Sequence, residues 1–387
     1  MVERVQVEPK MLEWACERAG LDSATSADKF PKLQDWIDQK SQPTFKQIQE
    51  FAQKTHVPLG MLFLSEPPEE KLPINDFRTI AGTPDRRPSA DLLETIYTCQ
   101  RRQDWYRNYL QSEGIDGARE YVGSASLSED PTTVADRICQ AIEFDRQEGK
   151  NWEDVRKLLI DRIENLDILV MVNGIVGNNT RRKLDPDEFR GFALVDPIAP
   201  LIFINGSDTK AAQLFTIAHE LAHVWLGEGG VSDVSVNNIA MQERVETWCN
   251  RVAAEILLPL SELEAEYQPD SDLEKELPRL VKQYKVSTLV VLRRIYDLGK
   301  IDRTTFSQSY IFEVRKFELK KLESNQTKGG GGGDFYLTLK VRASGRFSRA
   351  LVISALEGKT LYRDAFRMLG VSTKDQFDRF SKKLGVD

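Results

Sequence analysis

Two of the three histidines in this 387-residue chain stand four apart, in His219-Glu220-Leu221-Ala222-His223. That spacing constrains the fold more than any other feature. On a helix, residues four apart share a face. Both imidazoles can then reach one tetrahedral metal ion, with Glu220 between them placed to polarise a water on it. The flanking Thr216-Ile217-Ala218 and Val224-Trp225-Leu226 are uncharged. Leu214, Ile217, Leu221 and Trp225 make an apolar stripe that can face a core. Ser207 or Asp208 can cap the start of this helix, and Gly227 can end it.

A catalytic site of this kind needs a third protein ligand and leaves the fourth position for water. The remaining histidine, His56, lies far upstream among helical residues. The next strong helical pattern, Met241 to Pro259, offers Glu243, Glu246 and Glu255. Its apolar face is Val245, Trp248, Cys249, Val252 and Ile256. Glu246 and Asn250 are four apart on another face. Glu246 as ligand, with Asn250 holding its carboxylate by a hydrogen bond, is a coherent arrangement. Glu243 is next in line.

The segment carrying these residues resembles the ImmA/IrrE family of zinc metallo-endopeptidases. The likeness rests on Phe189-Arg-Gly-Phe-Ala-Leu-Val-Asp196, Ala199-Pro-Leu-Ile-Phe-Ile-Asn205, Phe215 to Leu226, and Glu246 to Pro259. Pro43-Thr-Phe-Lys-Gln-Ile, Val57-Pro-Leu-Gly-Met-Leu-Phe-Leu64 and Phe77-Arg-Thr79 are similar to elements of its long members. The likeness covers most of residues 1–310 and is densest at 185–260. It implies a bacterial or phage protein in which His219, His223 and Glu246 bind Zn2+ and Glu220 is the general base. It also implies a protein partner: relatives cleave helix-turn-helix repressors, and others sit beside toxin genes. Cys249 and Val252 stand where alanine and phenylalanine are common, both at packing positions. The alternative is a catalytically silent, zinc-containing antitoxin or regulator that sequesters its partner. The intact Glu220 argues against it, since a structural metal site has no need of that residue.

Composition fits a cytoplasmic protein. Cys16, Cys99, Cys139 and Cys249 are widely spaced, without a C-x-x-C, and read as reduced thiols. The N-terminus lacks a signal-peptide core, and no apolar run approaches the length of a membrane span. Net charge is −7, which does not favour nucleic acid as the main partner.

The expected architecture is α+β and mostly helical: a zincin-like peptidase core with a small sheet, between helical N- and C-terminal modules. Residues 1–70 form an XRE-like helical module, with a first helix from Met11 and a capping box at Thr44-x-x-Gln47. Where a recognition helix should lie, Ser23 to Pro31 is short and interrupted by proline. Eight Lys/Arg against twelve Asp/Glu in 1–70 disfavour phosphate binding, so a protein-docking or degenerate module is preferred to a DNA reader.

Residues 71–150 form a helical connector after the proline-rich Pro67 to Pro73, with one long helix at 89–113. The peptidase domain takes 151–310, with strands at 167–173, 191–195 and 201–204 and helices at 273–283 and 287–298. Gly191–Val195 or Leu201–Ile204 is the candidate edge for holding extended substrate. Residues 311–387 form a basic module joined through the glycine run before Asp334, with a helix-turn-helix pattern at 362–380. This module is the part best suited to nucleic acid, though docking of an acidic partner is preferred. An oxyanion needs a cation or hydroxyl beside it; Arg190 and Arg78 are candidates.

Overall fold

The computed structural model describes residues 4–68, 88–145, 148–227, 239–269, 271–327 and 334–386. The chain divides into two compact units, Met1–Pro73 with Gly82–Tyr97, and Ile74–Ala81 with Thr98–Asp387. The expected elements at Phe77-Arg-Thr79, including Arg78, lie outside the described residues.

The first unit is helical: α1 (Pro9–Arg18), α2 (Ser23–Lys29), α3 (Leu33–Ile37), α4 (Phe45–Thr55) and a 3₁₀ turn (Leu59–Phe63). Met11, Leu12, Ile48, Phe51 and Leu62 fill its core. The expected capping box is present, with Thr44 and Gln47 each satisfying the other's backbone N–H. Pro31 separates α2 from α3, both short, because proline cannot continue a helix hydrogen-bond ladder. His56 ends α4 in the left-handed conformation, and Arg18 Nη1 donates to its carbonyl at 2.9 Å.

The second unit is built on a three-stranded sheet in the order β1 (Leu169–Asn173), β5 (Leu201–Asn205), β4 (Gly191–Leu194). β2 (Ile175–Val176) and β3 (Asn179–Lys183) form a separate hairpin between β1 and β4. β5 lies at the centre, parallel to β1 (Leu169 opposite Leu201) and antiparallel to β4 (Gly191 opposite Ile204). Both β1 and β5 are buried along their whole length. Strands covered on both faces read as unbroken apolar runs, and these do.

The remaining helices are α5 (Ala90–Ser112), α6 (Pro131–Ala141), α7 (Trp152–Asn165), α8 (Lys210–Leu226), α9 (Ile239–Leu257), α10 (Leu260–Glu266), α11 (Leu273–Tyr284), α12 (Thr288–Asp297), α13 (Arg303–Thr327), α14 (Phe335–Ala343), α15 (Gly345–Leu356), α16 (Tyr362–Leu369) and α17 (Lys374–Leu384), with α7, α8, α14 and α15 packed on the strands. On one face, Val170, Val172, Ala193, Ile202 and Ile204 share a core with Leu214, Ile217 and Leu221 of α8. α9 then packs on α8, and α6 on α9. Strand alternation sends Leu169, Met171, Phe192 and Phe203 to the opposite face, where α14 and α15 lie on β1. Among the described residues no helix is long and apolar enough to cross a membrane.

The fold is α+β and mostly helical, as expected, but the structure joins what the sequence separates at 310/311. α13 packs on α12, and α14 to α17 belong to the same unit as the peptidase sheet. Several polar contacts fasten them. The half-buried Arg102 of α5 donates to Met368 O through Nε (3.0 Å) and Nη2 (2.8 Å), and to Arg342 O through Nη1 (3.3 Å). Glu164 of α7 accepts from Ser344 Oγ and from Gly345 N (3.1 Å). Arg346 pairs with Asp167 and donates to Glu164 O (3.1 Å). At the hairpin tip, Asn178 Nδ2 donates to Gly370 O at 2.6 Å. Gly370 has φ of +75°, and a Cβ there would strike that same amide, so glycine is required for two reasons.

Candidate metal centre

The helix carrying His219 and His223 is capped one residue after Asp208 and two after Ser207, the two expected caps. Thr209 is the N-cap, its hydroxyl accepting from Ala212 N at 3.3 Å, and Asp208 Oδ1 in turn accepts from Thr209 N at 2.7 Å. Gly227 closes the helix at φ +76°, the conformation glycine adopts without strain. The expected apolar stripe is buried, but so is nearly every residue from Gln213 to Leu226. α8 runs through the middle of the core, with the sheet on one side and α7 and α9 on others.

That burial places the histidines where polar groups need partners. His219 and His223 are 1% and 3% exposed. Their Nε2 atoms lie 3.0 Å apart. Glu246, on α9, reaches them both: Oε2 is 3.5 Å from His219 Nε2, and Oε1 is 3.4 Å from His223 Nε2. One helix supplies two donors by its own period, and the packing of α9 on α8 supplies the third.

The donor set fits zinc. A tetrahedral ion with bonds of about 2.0–2.2 Å has ligand-to-ligand edges of about 3.3–3.6 Å. The three observed separations lie close to that, and two imidazoles with one carboxylate are a common catalytic set. Among the described residues, His219, His223 and Glu246 are the group of metal-ligating type that could hold an ion. Of the other two carboxylates on this helix, Glu255 pairs instead with the buried Arg294 at 2.5 Å, and Glu243 is exposed on another side of α9. Asn250 is partly buried one turn after Glu246.

Glu220 is also buried and sits against the sheet. A Cβ on Gly191 of β4 would come within 3.4 Å of its Cγ. Of the two candidate edges, β5 is paired on both sides, whereas β4 is an outer strand of the three. Arg190, at the start of β4, lies 3.6 Å from Asp208.

One neighbour is not legible in the sequence. Cys249, at an expected packing position, is fully buried and also hydrogen-bonds to His223. Burial alone would lower the His223 pKa, but Cys249, Glu246 and Glu220 outweigh it and raise the imidazole well above its ordinary value. Burial pushes the Cys249 thiol up.

Residues 163–296 match the Peptidase_M78 family, described as the IrrE N-terminal-like domain. This supports the ImmA/IrrE resemblance and a metallopeptidase-type enzyme, in a family whose members are generally zinc peptidases. The IrrE-like domain spans the sheet and α8 to α12, and so holds all three candidate ligands and Glu220. Residues 343–383, following most of α14, match a domain of unknown function (DUF8813). No curated protein matches the chain.

Proposed function

We propose that the chain is a zinc-dependent endopeptidase, acting in the cytoplasm, that cuts one specific protein partner: a transcriptional repressor or a toxin-system component. The observation that carries this reading is the convergence of His219 Nε2, His223 Nε2 and the Glu246 carboxylate beside Glu220, next to an outer strand.

When bound, zinc supplies Lewis acidity toward the scissile carbonyl and makes a coordinated water more acidic. The residues of the chain do the rest. His219 and His223 would hold the ion as neutral imidazoles. Glu246 supplies one negative charge, and Asn250 steadies its carboxylate. Glu220 takes the proton of the attacking water and passes it to the leaving amine. Arg190 O accepts from Asn205 N at 2.8 Å. Antiparallel alternation from that pair turns the main-chain groups of Gly191 and Ala193 away from β5, toward an extended substrate.

Metal analysis of the purified chain and its variants tests the ligand set. We expect one zinc per chain, lost in His219→Ala and His223→Ala and weakened in Glu246→Ala. Glu220→Gln should keep zinc and fold but abolish cleavage of the neighbouring gene's product, because an amide cannot accept the water proton. Full proteolysis by Glu220→Gln would sink the general-base role. A wild-type chain that grips its partner and never cuts it would favour sequestration instead.

A further inference from the structure

Between α9 and the segment ahead of α6 lies an open groove of about 410 Å³. Glu129, ahead of α6, and Glu243, Arg244, Thr247, Trp248 and Arg251 of α9 line it. Trp248 is buried, and its indole Nε1 donates to Glu129 O at 3.1 Å, which fixes this wall. The Glu129 carboxylate is engaged, accepting from Ser126 N at 2.8 Å and from Arg137 Nη1 at 3.1 Å. Arg244 and Arg251 differ: both are exposed, and neither guanidinium bonds or pairs with a described residue. Seven positions separate them, two turns or about 10 Å along one side of the helix. Glu243 stands one turn before Glu246 and about 60° round the helix from it, so one end of the groove runs beside the proposed third ligand.

We propose that this groove docks an acidic stretch of the protein substrate. Two carboxylates of that stretch pair with Arg244 and Arg251, and the Trp248 wall backs them. Glu243 repels acidic side chains at the end nearest the metal and so sets the direction in which the chain lies. A peptide suits the groove better than nucleic acid. Two cations release too few counterions for tight binding of a phosphate backbone. The inference rests on the peptidase reading for the word substrate, but the binding it describes needs no zinc.

The test is fluorescence anisotropy of a fluorescein-labelled deca-glutamate peptide with the full-length chain. Deca-lysine and a ten-nucleotide single strand serve as the other probes. We expect deca-glutamate to bind, deca-lysine not to bind, and Arg244→Gln with Arg251→Gln to weaken deca-glutamate about tenfold with an unchanged melting temperature. Glu243→Gln should tighten it. Binding should persist after a chelator strips the metal. Equal affinity in the wild type and the double-arginine variant overturns the proposal. Tighter, arginine-dependent binding of the oligonucleotide overturns the peptide assignment. Arginine-dependent peptide binding by a chain that takes up no zinc would keep the docking site and remove the peptidase reading, so the two fail separately.

Discussion

Gly191 lies so close to α8 that a Cβ on it would come within 2.6 Å of Thr216 Cγ2 and 3.4 Å of Glu220 Cγ. It would also fall 2.8 Å from Phe203 O. The absent side chain is what lets β4 lie against the residue proposed as general base. Gly191→Ala must shift either the strand or the helix. Such overpacking costs about 1–3 kcal/mol. We expect a chain that melts earlier and retains zinc, with turnover falling more than metal affinity. Unchanged stability and turnover would show that the strand yields freely.

Glu164 gives a pH-dependent stability. Burial pushes its carboxyl up to about 7, against the hydrogen bonds from Ser344 and the Arg346 backbone that lower it. The folded pKa lies above the ordinary value of 4.5, so the native state binds the proton more tightly than the unfolded chain. Stability from this group is complete below about pH 4.5, falls as pH rises through 7, and is flat beyond, a loss of about 3 kcal/mol at most. Glu164→Gln can still accept from Ser344 and Gly345 but does not titrate. Urea unfolding at pH 5 and pH 8 should show the variant gaining on the wild type at pH 8. An identical difference at both pH values would refute this.

Arg294 and Glu255 are both buried, at 2.5 Å, and Arg294 Nε also donates to Leu258 O at 2.9 Å. Removing one partner of such a pair leaves an uncompensated charge and costs about 3–5 kcal/mol. Arg294→Leu should lower the denaturation midpoint strongly. Zinc content of the folded fraction should stay near one per chain, because Glu255 is not among the candidate ligands. Loss of zinc at unchanged stability would point to a ligand role after all.

Deleting 334–387 tests how independent the C-terminal helices are. From sequence, the glycine run reads as a linker and the deletion should be neutral for folding. In the structure it uncovers β1 and strands Arg102, whose carbonyl partners Arg342 and Met368 both go. We expect the truncated chain to be insoluble or to melt far below the full one. A truncated chain with unchanged melting and zinc content would restore the linker reading.

The meeting of His219 and His223 was legible because it depends on a local period, helical spacing alone. Glu246 followed from the next helix, since one turn of α9 faces α8. Elements fixed by distant partners were not legible. Ser207, Asp208 and Thr209 all suit an N-cap, and only the chain's path into α8 selects Thr209. Cys249 looks like packing until α9 brings it to His223. α13 carries apolar residues on more than one side, among them Ile311, Phe312 and Leu319, so no single stripe announced it. The seating of α14 to α17 depends on Arg102, more than two hundred residues away in sequence, and no local pattern reports such a contact.

Arg102 also determines how these helices can come apart. A single guanidinium serves carbonyls near the C-terminal ends of both α14 and α16, where backbone dipoles concentrate negative potential. If one helix leaves, a half-buried cation loses part of its shell while the other helix still holds it in place. Opening one at a time is therefore the costly route. Amide hydrogens of α14 and α16 should exchange at a common rate, set by release of the pair together rather than by fraying of either.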